Sequence, residues 1–223
     1  MKKISLLLLF TLSLQVLSAQ KQYLSIKDSD SEAIKLFNRS KSVLKNATSL
    51  EILYKMTSYF PESKPLGIDG ILKQQGNMYF VELGDKKIYC DSKSLIVFNR
   101  TQNTAQINDL DEKSGALTPY SILNSYDEKN YIFAIGEKTI INKKSLQQIV
   151  LKPAAKRSEY LKIEFIINTR SGLPEEIKMF MKDGYKTFFK ISSVKLNQKF
   201  NNNVFIFNKA EHRGVTVDDL RMD

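Results

Sequence analysis

Cys90 and His212 are the only cysteine and the only histidine in the chain, so they form the one thiol–imidazole pair that nucleophilic catalysis could use. A catalytic thiol needs a base within hydrogen-bond reach. Cys90 lies in an alternating, strand-like segment at residues 87–91, whereas His212 lies much further along the chain. We therefore expect no catalytic pair, and two potential ligands are too few for structural zinc.

The other polar residues give no reason to expect an enzyme either. No nucleophile beside a base, no pair of carboxylates and no glycine-rich phosphate loop stands out in the sequence. We accordingly expect no catalytic activity, no cofactor and no metal. The residues left to carry a function are apolar, and their use depends on the elements that position them.

The first residues are typical of a cleavable secretory signal. Lys2 and Lys3 precede an apolar run at residues 4–17, which is too short to span a bilayer comfortably. Gln20 rather than a cysteine follows Ala19, so no thiol is available for lipid attachment. We expect a signal peptide at residues 1–19 and one soluble periplasmic domain at residues 20–223. The alternative is a core helix at the start of the folded chain.

The composition of the mature chain limits the classes of partner that we expect for it. Loss of Lys2 and Lys3 leaves 32 basic residues against 24 acidic ones, a net charge of +8. Such an excess is typical of proteins that meet nucleic acid or an anionic membrane. An exported protein rarely meets nucleic acid, so we expect a membrane surface, with simple solubility as the alternative. A single cysteine excludes an internal disulfide, so the fold depends on its apolar core.

Two helices are predicted. The pattern Ser29-x-x-Glu32 is typical of a capping box, and apolar residues then recur at helical spacing, which predicts a helix at about residues 30–46. Thr118 followed by Pro119 predicts a second helix at about residues 119–126, because proline loses no needed hydrogen bond at the first helical position.

Most of the remaining chain alternates between apolar and polar residues, as strands with one buried face do. Short turns separate the strands and require antiparallel neighbours. Asp183-Gly184, for example, is a strong two-residue hairpin signal. The predicted strands lie at residues 49–57, 66–75, 77–83, 86–91, 94–100, 104–109, 139–141, 146–153, 160–168, 174–182, 186–194 and 204–207.

These elements predict a mainly β protein with helices. A flat sheet of this size would expose one apolar face to water. We therefore expect the sheet to curl and to cover that face. We expect a single strongly curved antiparallel sheet, an incomplete β-barrel of about eleven strands, covered on its concave side by two or three helices. Such a fold holds a cavity between sheet and helices; the alternative is a well-filled sandwich without one.

Several segments resemble the periplasmic outer-membrane lipoprotein carrier family of the Lol pathway (LolA). Residues 214–221, Gly-Val-Thr-Val-Asp-Asp-Leu-Arg, resemble the family's carboxy-terminal signature, and Phe205-Ile206-Phe207 resembles the strand before it. Residues 88–98 resemble its central hairpin, residues 117–123 its proline-led helix and residues 149–153 a strand ending in Leu-x-Pro. Their order and spacing match the family over most of the chain.

The resemblance implies transport. These carriers have an incomplete β-barrel with a helical lid and take lipoproteins from an inner-membrane lipoprotein-releasing ABC transporter to an outer-membrane acceptor. The implied partners are therefore acylated lipoproteins, that transporter and that acceptor, with no nucleic acid, and the protein is expected to be a monomer. The alternatives are a related carrier or binding module for another lipid or acylated small molecule, and a regulatory domain that senses lipoproteins.

Departures from the family pattern concern the lid and the cargo. A family arginine that helps to latch the lid has no counterpart in residues 73–80. Ser92 replaces a usual glycine, and Ile96 replaces a usual tryptophan. These changes indicate a divergent branch of the family.

The inward positions of the predicted elements are the candidate lipid-binding residues, with core packing as the alternative for each. They are Ile34, Phe37, Leu50, Ile52, Tyr54, Met56, Leu72, Ile96, Phe98, Ile122, Leu123, Ile163, Phe165, Ile177, Met179 and Phe189. Met78, Tyr79 and Phe80 lie beside a turn and are a candidate docking patch for the transporter. A strand buried on both faces is the alternative for these three.

The signal sequence leads to a direct prediction. When the full-length chain is expressed in a bacterium, the exported protein should start near Gln20 and carry no acyl group. Amino-terminal sequencing and the intact mass measure these two features. An uncleaved or acylated amino terminus would contradict the prediction.

Overall fold

The computed structural model describes residues 25–110 and 116–221, so the predicted signal peptide lies outside it. The α-helices are α1 (Ser31–Lys45) and α2 (Pro119–Asn124), and short 3-10 helices cover Ile26–Asp28, Asn202–Phe205 and Lys209–Glu211. The strands are β1 (Ser49–Tyr59), β2 (Leu66–Gln75), β3 (Met78–Leu83), β4 (Lys86–Cys90), β5 (Leu95–Asn99), β6 (Thr104–Asn108), β7 (Tyr131–Ile141), β8 (Lys144–Pro153), β9 (Tyr160–Asn168), β10 (Pro174–Met181), β11 (Lys186–Leu196) and β12 (Thr216–Asp219).

All twelve strands of the described residues belong to one curved, open sheet. The strands follow the order β12-β6-β5-β4-β3-β2-β1-β11-β10-β9-β8-β7. The sheet therefore consists of two meanders that join where β1 pairs with β11. All pairs are antiparallel, as predicted, except that β12 adds to β6 in parallel.

The start of α1 differs from the predicted capping box. Asp30 is the residue that caps the helix, and its carboxylate accepts hydrogen bonds from the backbone N–H groups of Glu32 and Ala33. Ser29 instead accepts a hydrogen bond from the backbone N–H of Phe133 at 3.1 Å, and Asp30 donates its own N–H to the carbonyl of Phe133 at 2.8 Å. The helix start is therefore fastened to β7, an edge strand of the sheet.

The second helix begins as predicted and ends earlier. Thr118 caps it by accepting a hydrogen bond from the backbone N–H of Ser121 at 3.1 Å, and Pro119 occupies the first turn. The helix ends at Asn124 rather than near residue 126. Tyr126 follows it and turns into the core, where only 5% of its surface is exposed.

One strand prediction is wrong, and a second covers only the end of its strand. Residues 204–207 do not form a strand, because the chain turns through a 3-10 helix there and buries the Phe205 ring. The strand predicted at residues 139–141 begins eight residues earlier, at Tyr131. The pairing of this strand with β8 is irregular between Ile135 and Lys138. The irregularity interrupts the alternation of apolar and polar residues, so the sequence pattern did not indicate the first part of the strand.

The turn between β4 and β5 explains one departure from the family pattern. Ser92 has a φ of +72°, in the left-handed region that favours glycine. Asp91 stabilises this turn, since its carboxylate accepts hydrogen bonds from the backbone N–H groups of Lys93 and Ser94, both at 2.9 Å. These hydrogen bonds also lower the pKa of Asp91, although partial burial opposes them.

The strand pairing defines two faces of the sheet, because residues directly opposite each other on paired strands point to the same side. Ile52 pairs with Leu72 and Leu72 with Val81, while Met56 pairs with Phe189, Phe189 with Ile177 and Ile177 with Phe165. All of these residues except the half-buried Met56, which packs against them, belong to one buried cluster that also contains Phe37 of α1 and Ile122 of α2. We call this side the inner face and the opposite side the outer face.

Tyr54 and Gly70 form a tight cross-strand pair on the inner face. A Cβ atom on Gly70 would lie 2.4 Å from the Tyr54 ring, so only glycine fits beneath that ring. The Tyr54 hydroxyl is buried without a hydrogen-bond partner among the described residues, and burial raises the pKa of Tyr54 to about 12.

This pair predicts opposite effects for two small substitutions. Gly70→Ala should lower the free energy of unfolding by about 1–3 kcal/mol, because the added methyl group overpacks the core. Tyr54→Phe should raise it by about 1 kcal/mol, since it removes an unsatisfied buried hydroxyl. Urea denaturation measures both. Gly67→Ala is the control, because its Cβ would meet mainly the flexible end of Lys55. Equal losses for Gly67→Ala and Gly70→Ala would contradict the assigned fit.

Candidate functional site

Helix α1 covers the part of the inner face that lies on β7–β9. Phe37 enters from the helix and packs edge-on against Phe165 of β9 and Phe133 of β7, with ring centroids 5.0 Å and 5.2 Å apart. All three rings are fully buried, as is Ile149 on β8. This part of the face is a packed core, with aromatic rings filling the space between helix and sheet.

The second helix closes the neighbouring part of the same face. Ile122 and Leu123 are buried in the same cluster. Tyr126, just after the helix, contacts the rings of Tyr131 at 4.8 Å and Phe165 at 6.1 Å. Burial raises the pKa of Tyr126 above its usual value, with smaller contributions from Tyr160 and Tyr131.

The inner face continues beyond the helices with only partial cover. Met56, Leu83 and Ile88 are half-buried and pack against the edge of the core. Ile88 pairs with Val97, so the apolar surface extends onto β5. We call the half-buried residues Met56, Ile68, Leu83, Ile88 and Val97 the open trough, since strand pairing places all five on the inner face.

The predicted lipid-binding residues lie mostly together. All of them except Ile96 and Phe98 belong to the inner cluster or pack against it. Ile34 and Met56 are half-buried, and the others of that group are buried. Their shared face is the one that the alternation predicted.

Ile96 and Phe98 are the exceptions, and their assignment to the inner face is wrong. Val97, which lies between them, points to the inner face, so Ile96 and Phe98 point to the outer face. There they pack in a second cluster with Ala105 and Val215, which we call the outer cluster. β5 is apolar on both faces, so alternation alone could not distinguish inside from outside there.

The outer cluster explains the carboxy-terminal signature. Val215 is buried against Phe98, and Val217 packs beside it from β12, the strand that adds to β6. The ring of His212 lies 4.2 Å from that of Phe98 and stacks on Phe207 at 5.0 Å. The chain after β11 thus covers the outer face of β4–β6. Cys90 pairs with Tyr79 on the inner face, so the sheet separates it from His212.

The predicted docking patch does not form one surface. Tyr79 is packed against the inner cluster, whereas Phe80 points outward and contacts the Tyr89 ring at 5.1 Å. Tyr79 is partly buried, which raises its pKa to about 12, with a smaller contribution from Cys90. Met78 is half-buried at the start of β3. Met78 and Phe80 thus lie on the face opposite Tyr79, and all three side chains are half-buried.

Two cationic residues on α1 fasten the helix to its surroundings, and sequence reasoning missed both. Arg39 donates hydrogen bonds to the backbone carbonyls of Thr169 and Arg170, at 2.8 Å and 2.7 Å, in the turn after β9. Lys41 donates to the carbonyl of Tyr126 at 2.9 Å. No local pattern marks these residues, because their acceptors are backbone atoms distant in sequence. They attach α1 to the turn after β9 and to the residue that follows the turn of α2.

A cavity of about 330 Å³ lies at the seam between α1 and the sheet. Leu36 and Arg39 line it from the helix, and Ile135 and Gln147 line it from β7 and β8. Gln147 is buried and donates to the backbone carbonyls of Gly136 and Glu137. The seam is thus an indentation that opens to solvent beside the filled part of the inner face.

Metal sites and membrane-spanning helices are absent from residues 25–110 and 116–221. This part of the chain has no group of three or more His, Cys, Asp or Glu residues placed to hold a metal ion. Every helix in it is too short or too polar to cross a membrane.

Comparisons with solved structures place this fold among known proteins. An uncharacterized conserved protein from Thermus thermophilus is similar with a TM-score of 0.56, covering 84% of this chain and 99% of that one at 8% identity. A putative outer membrane lipoprotein-sorting protein domain from Vibrio parahaemolyticus has a TM-score of 0.42, covering 81% and 97% at 11% identity. The lipoprotein LppX from Mycobacterium tuberculosis has a TM-score of 0.41, covering 78% and 99% at 14% identity.

Sequence comparison identifies the family. No curated protein sequence matches the chain significantly. The model of the family described as outer membrane lipoprotein carrier protein LolA matches residues 84–208, which is more than half of the chain. The match runs from the turn before β4 to the segment that covers the outer face. The chain therefore belongs to the LolA family of outer membrane lipoprotein carrier proteins.

Proposed function

We propose that this protein is a periplasmic carrier that binds the acyl chains of lipoproteins on the inner face of its sheet. It receives them from an inner-membrane ABC transporter and delivers them to an outer-membrane acceptor. Residues 1–19 direct export, and residues 20–223 form the carrier domain. The observation that carries the proposal is a continuous apolar inner face that is filled under two helices and half-open beyond them.

The chemistry of the inner face matches that of an acyl chain. Each methylene group taken out of water contributes about 0.8 kcal/mol, so a lipid-modified protein cannot cross an aqueous compartment unaided. An apolar trough offsets this cost without directed hydrogen bonds. Its half-buried members, such as Met56 and Ile88, can repack around chains of different length, and methionine does so easily.

The filled part of the face can accept a chain only if α1 moves. Phe37 and Leu44 leave no exposed surface beneath the helix. The attachments of Arg39 and Lys41 are hydrogen bonds to backbone carbonyls, which water can replace when they break. An acyl chain that takes the place of the Phe37 ring would restore the apolar contacts that the moving helix loses.

The open trough is therefore the proposed first contact and the space under α1 the proposed final position. Met56, Leu83 and Ile88 lie between solvent and the packed rings of the core. A chain that enters along them meets apolar surface throughout. The cavity beside Leu36 and Ile135 gives the helix room to shift towards the edge of the sheet.

A carrier for another lipid or acylated small molecule is the second candidate. It is favoured by departures from the family pattern at Ser92 and Ile96 and by the absence of an arginine from residues 73–80. Mass spectrometry of molecules that copurify with the protein from periplasm distinguishes the two candidates. Lipoprotein acyl chains with their peptide support the first, and free lipids without peptide support the second.

Ile88 allows a test of the trough at a half-buried position beside the core. Ile88→Gln should lower uptake of lipoproteins released from inner membranes by about tenfold, because an unpaired buried amide costs about 1–3 kcal/mol. Lys87→Gln is the matched control, since Lys87 precedes Ile88 on β4 and points to the outer face. Uptake is measured as lipoprotein released into the soluble fraction from spheroplasts. Normal uptake by a folded Ile88→Gln protein would exclude this entry route.

Arg39 allows a test of helix movement. Arg39→Met removes two solvent-exposed hydrogen bonds, each contributing about 0.5–1.5 kcal/mol, so the helix should open more often. The rate at which the protein takes up a fluorescent fatty acid should rise by about tenfold or more. Stopped-flow fluorescence measures this rate, and Lys45→Met, at an exposed position on the same helix, is the control.

The melting temperature of the Arg39→Met protein completes this experiment. If the melting temperature falls while the uptake rate stays unchanged, Arg39 stabilises the fold and the helix is not the barrier to binding. Equal acceleration by Lys45→Met would assign the effect to lost positive charge rather than to the broken attachment.

A further inference from the structure

The outer face is covered only in part. The segment after β11 crosses β2–β6, where Gln75 bonds to Asn202 and the Lys73 ammonium lies over the Phe200 ring at 5.9 Å. The outer cluster around Phe98 and Val215 ends this covered region. The outer face of β1, β11, β10 and β9 lies outside it and carries an arrangement of its own.

Aromatic and lysine side chains alternate across these four strands. Tyr59 pairs with Lys186, Lys186 with Phe180 and Phe180 with Lys162, so one row of the outer face alternates ring and ammonium. The Phe188 ring lies 4.8 Å from that of Tyr59 and 5.6 Å from that of Phe180. The Lys162 ammonium lies 4.6 Å from the Phe180 ring centroid, within the range of a cation–π contact.

At one end of the sheet this pattern leads into three exposed loops, at residues 60–65, 154–159 and 182–185. Phe60 and Tyr185 are each 40% exposed, and their rings meet edge-on at 5.5 Å. Leu66 beside them is 54% exposed. Lys182 joins two of the loops, because its ammonium donates to the carbonyl of Lys156 at 2.7 Å. We call these three loops the rim.

The rim carries a small excess of positive charge. The three loops contain four basic residues and three acidic ones; these are Lys64, Lys156, Arg157 and Lys182, and Glu62, Glu159 and Asp183. Lys186 adds a further positive charge at the start of β11. Basic side chains around exposed aromatic rings are typical of protein surfaces that lie at the boundary between water and an anionic bilayer. An acidic protein partner would satisfy the charges but would not account as directly for two exposed rings at a protruding end of the sheet.

We propose that the rim docks the protein on an anionic lipid bilayer. Phe60 and Tyr185 enter the headgroup layer, and the lysines contact lipid phosphates. The same end of the sheet holds the carboxyl end of β1, the amino end of β2 and the carboxyl end of β3, which carry Met56, Ile68 and Leu83 of the open trough. Docking at the rim therefore brings the trough to the membrane. The inference extends the carrier function but does not depend on it.

Vesicle flotation of the mature chain, residues 20–223, tests the inference without any lipoprotein. The protein should float with phosphatidylcholine vesicles that contain phosphatidylglycerol and should not float with phosphatidylcholine alone. High salt should weaken the association, because it screens charges at a surface. No association with either vesicle, or equal association with both at every salt concentration, would overturn the proposal and would point to a protein partner for the rim.

Paired aromatic substitutions locate the docking surface. Phe60→Ser with Tyr185→Ser should lower the affinity for the anionic vesicles by at least about tenfold, since it removes the buried aromatic area. Ile140→Ser with Ile141→Ser is the matched control, because those residues are 76% and 54% exposed at the opposite end of the sheet. Circular dichroism melting confirms that both proteins are folded. Unchanged affinity for the Phe60 and Tyr185 variant would overturn the proposal.

Paired charge substitutions complete the test. Lys64→Gln with Lys186→Gln should lower the affinity by about fivefold for each lysine removed. Lys138→Gln with Lys143→Gln, which removes equal charge from the exposed β7–β8 hairpin, should change it little. Equal losses for the two pairs would show an effect of net charge alone and would overturn docking at the rim. Lipoprotein uptake is measured separately, so failure of docking and failure of the carrier function remain distinguishable.

Discussion

The contact between Phe37 on α1 and Phe165 on β9 is the interaction on which the inner side of the molecule depends. A wide antiparallel sheet presents one apolar face that must be kept from water. The Phe37 ring, between Phe165 and Phe133, joins the helix to the half of the sheet formed by β7–β11. Ile149, Ile163 and Ile177 lie in the same buried cluster as this contact. The same contact determines where the face is filled and where it stays accessible.

The outer face also carries apolar residues that must be kept from water, but a different segment covers them. Tyr89, Phe98 and Ala105 give the outer face of β4–β6 an apolar surface, and the carboxy-terminal segment covers it with Phe207, His212 and Val215. Arg221 completes the signature locally, because its guanidinium bonds to Asp219 and holds the pKa of that carboxyl at about 2. The family signature is thus explained as the packing of a terminal strand on the sheet rather than as a binding motif.

Binding and stability compete for the same apolar residues in this fold. The buried rings under α1 stabilise the folded state, and they also occupy the volume that an acyl chain would need. The attachments of Arg39 and Lys41 are polar and lie at the helix surface, so they can break without leaving an unsatisfied group in the core. The half-buried trough on β1–β5 adds accessible apolar surface at little cost to the packing. Together these features suit a protein whose ligand replaces part of its own core.

The sequence by itself determined the class of fold, because alternation and turn residues report directly which side of each strand is buried. Ile52, Phe165 and Ile177 were assigned correctly to one face in this way, and the antiparallel order of their neighbours followed from the short turns. Alternation failed at β5, where Ile96 and Phe98 are apolar on the face opposite Val97, and at β7, where an irregularity interrupts the pattern. Only the tertiary structure decided which segment covers each apolar face of the sheet and how Arg39 holds the helix. It also decided that Phe60 and Tyr185 meet at one exposed end of the sheet. Those outcomes depend on contacts between residues distant in the chain, which no local pattern records.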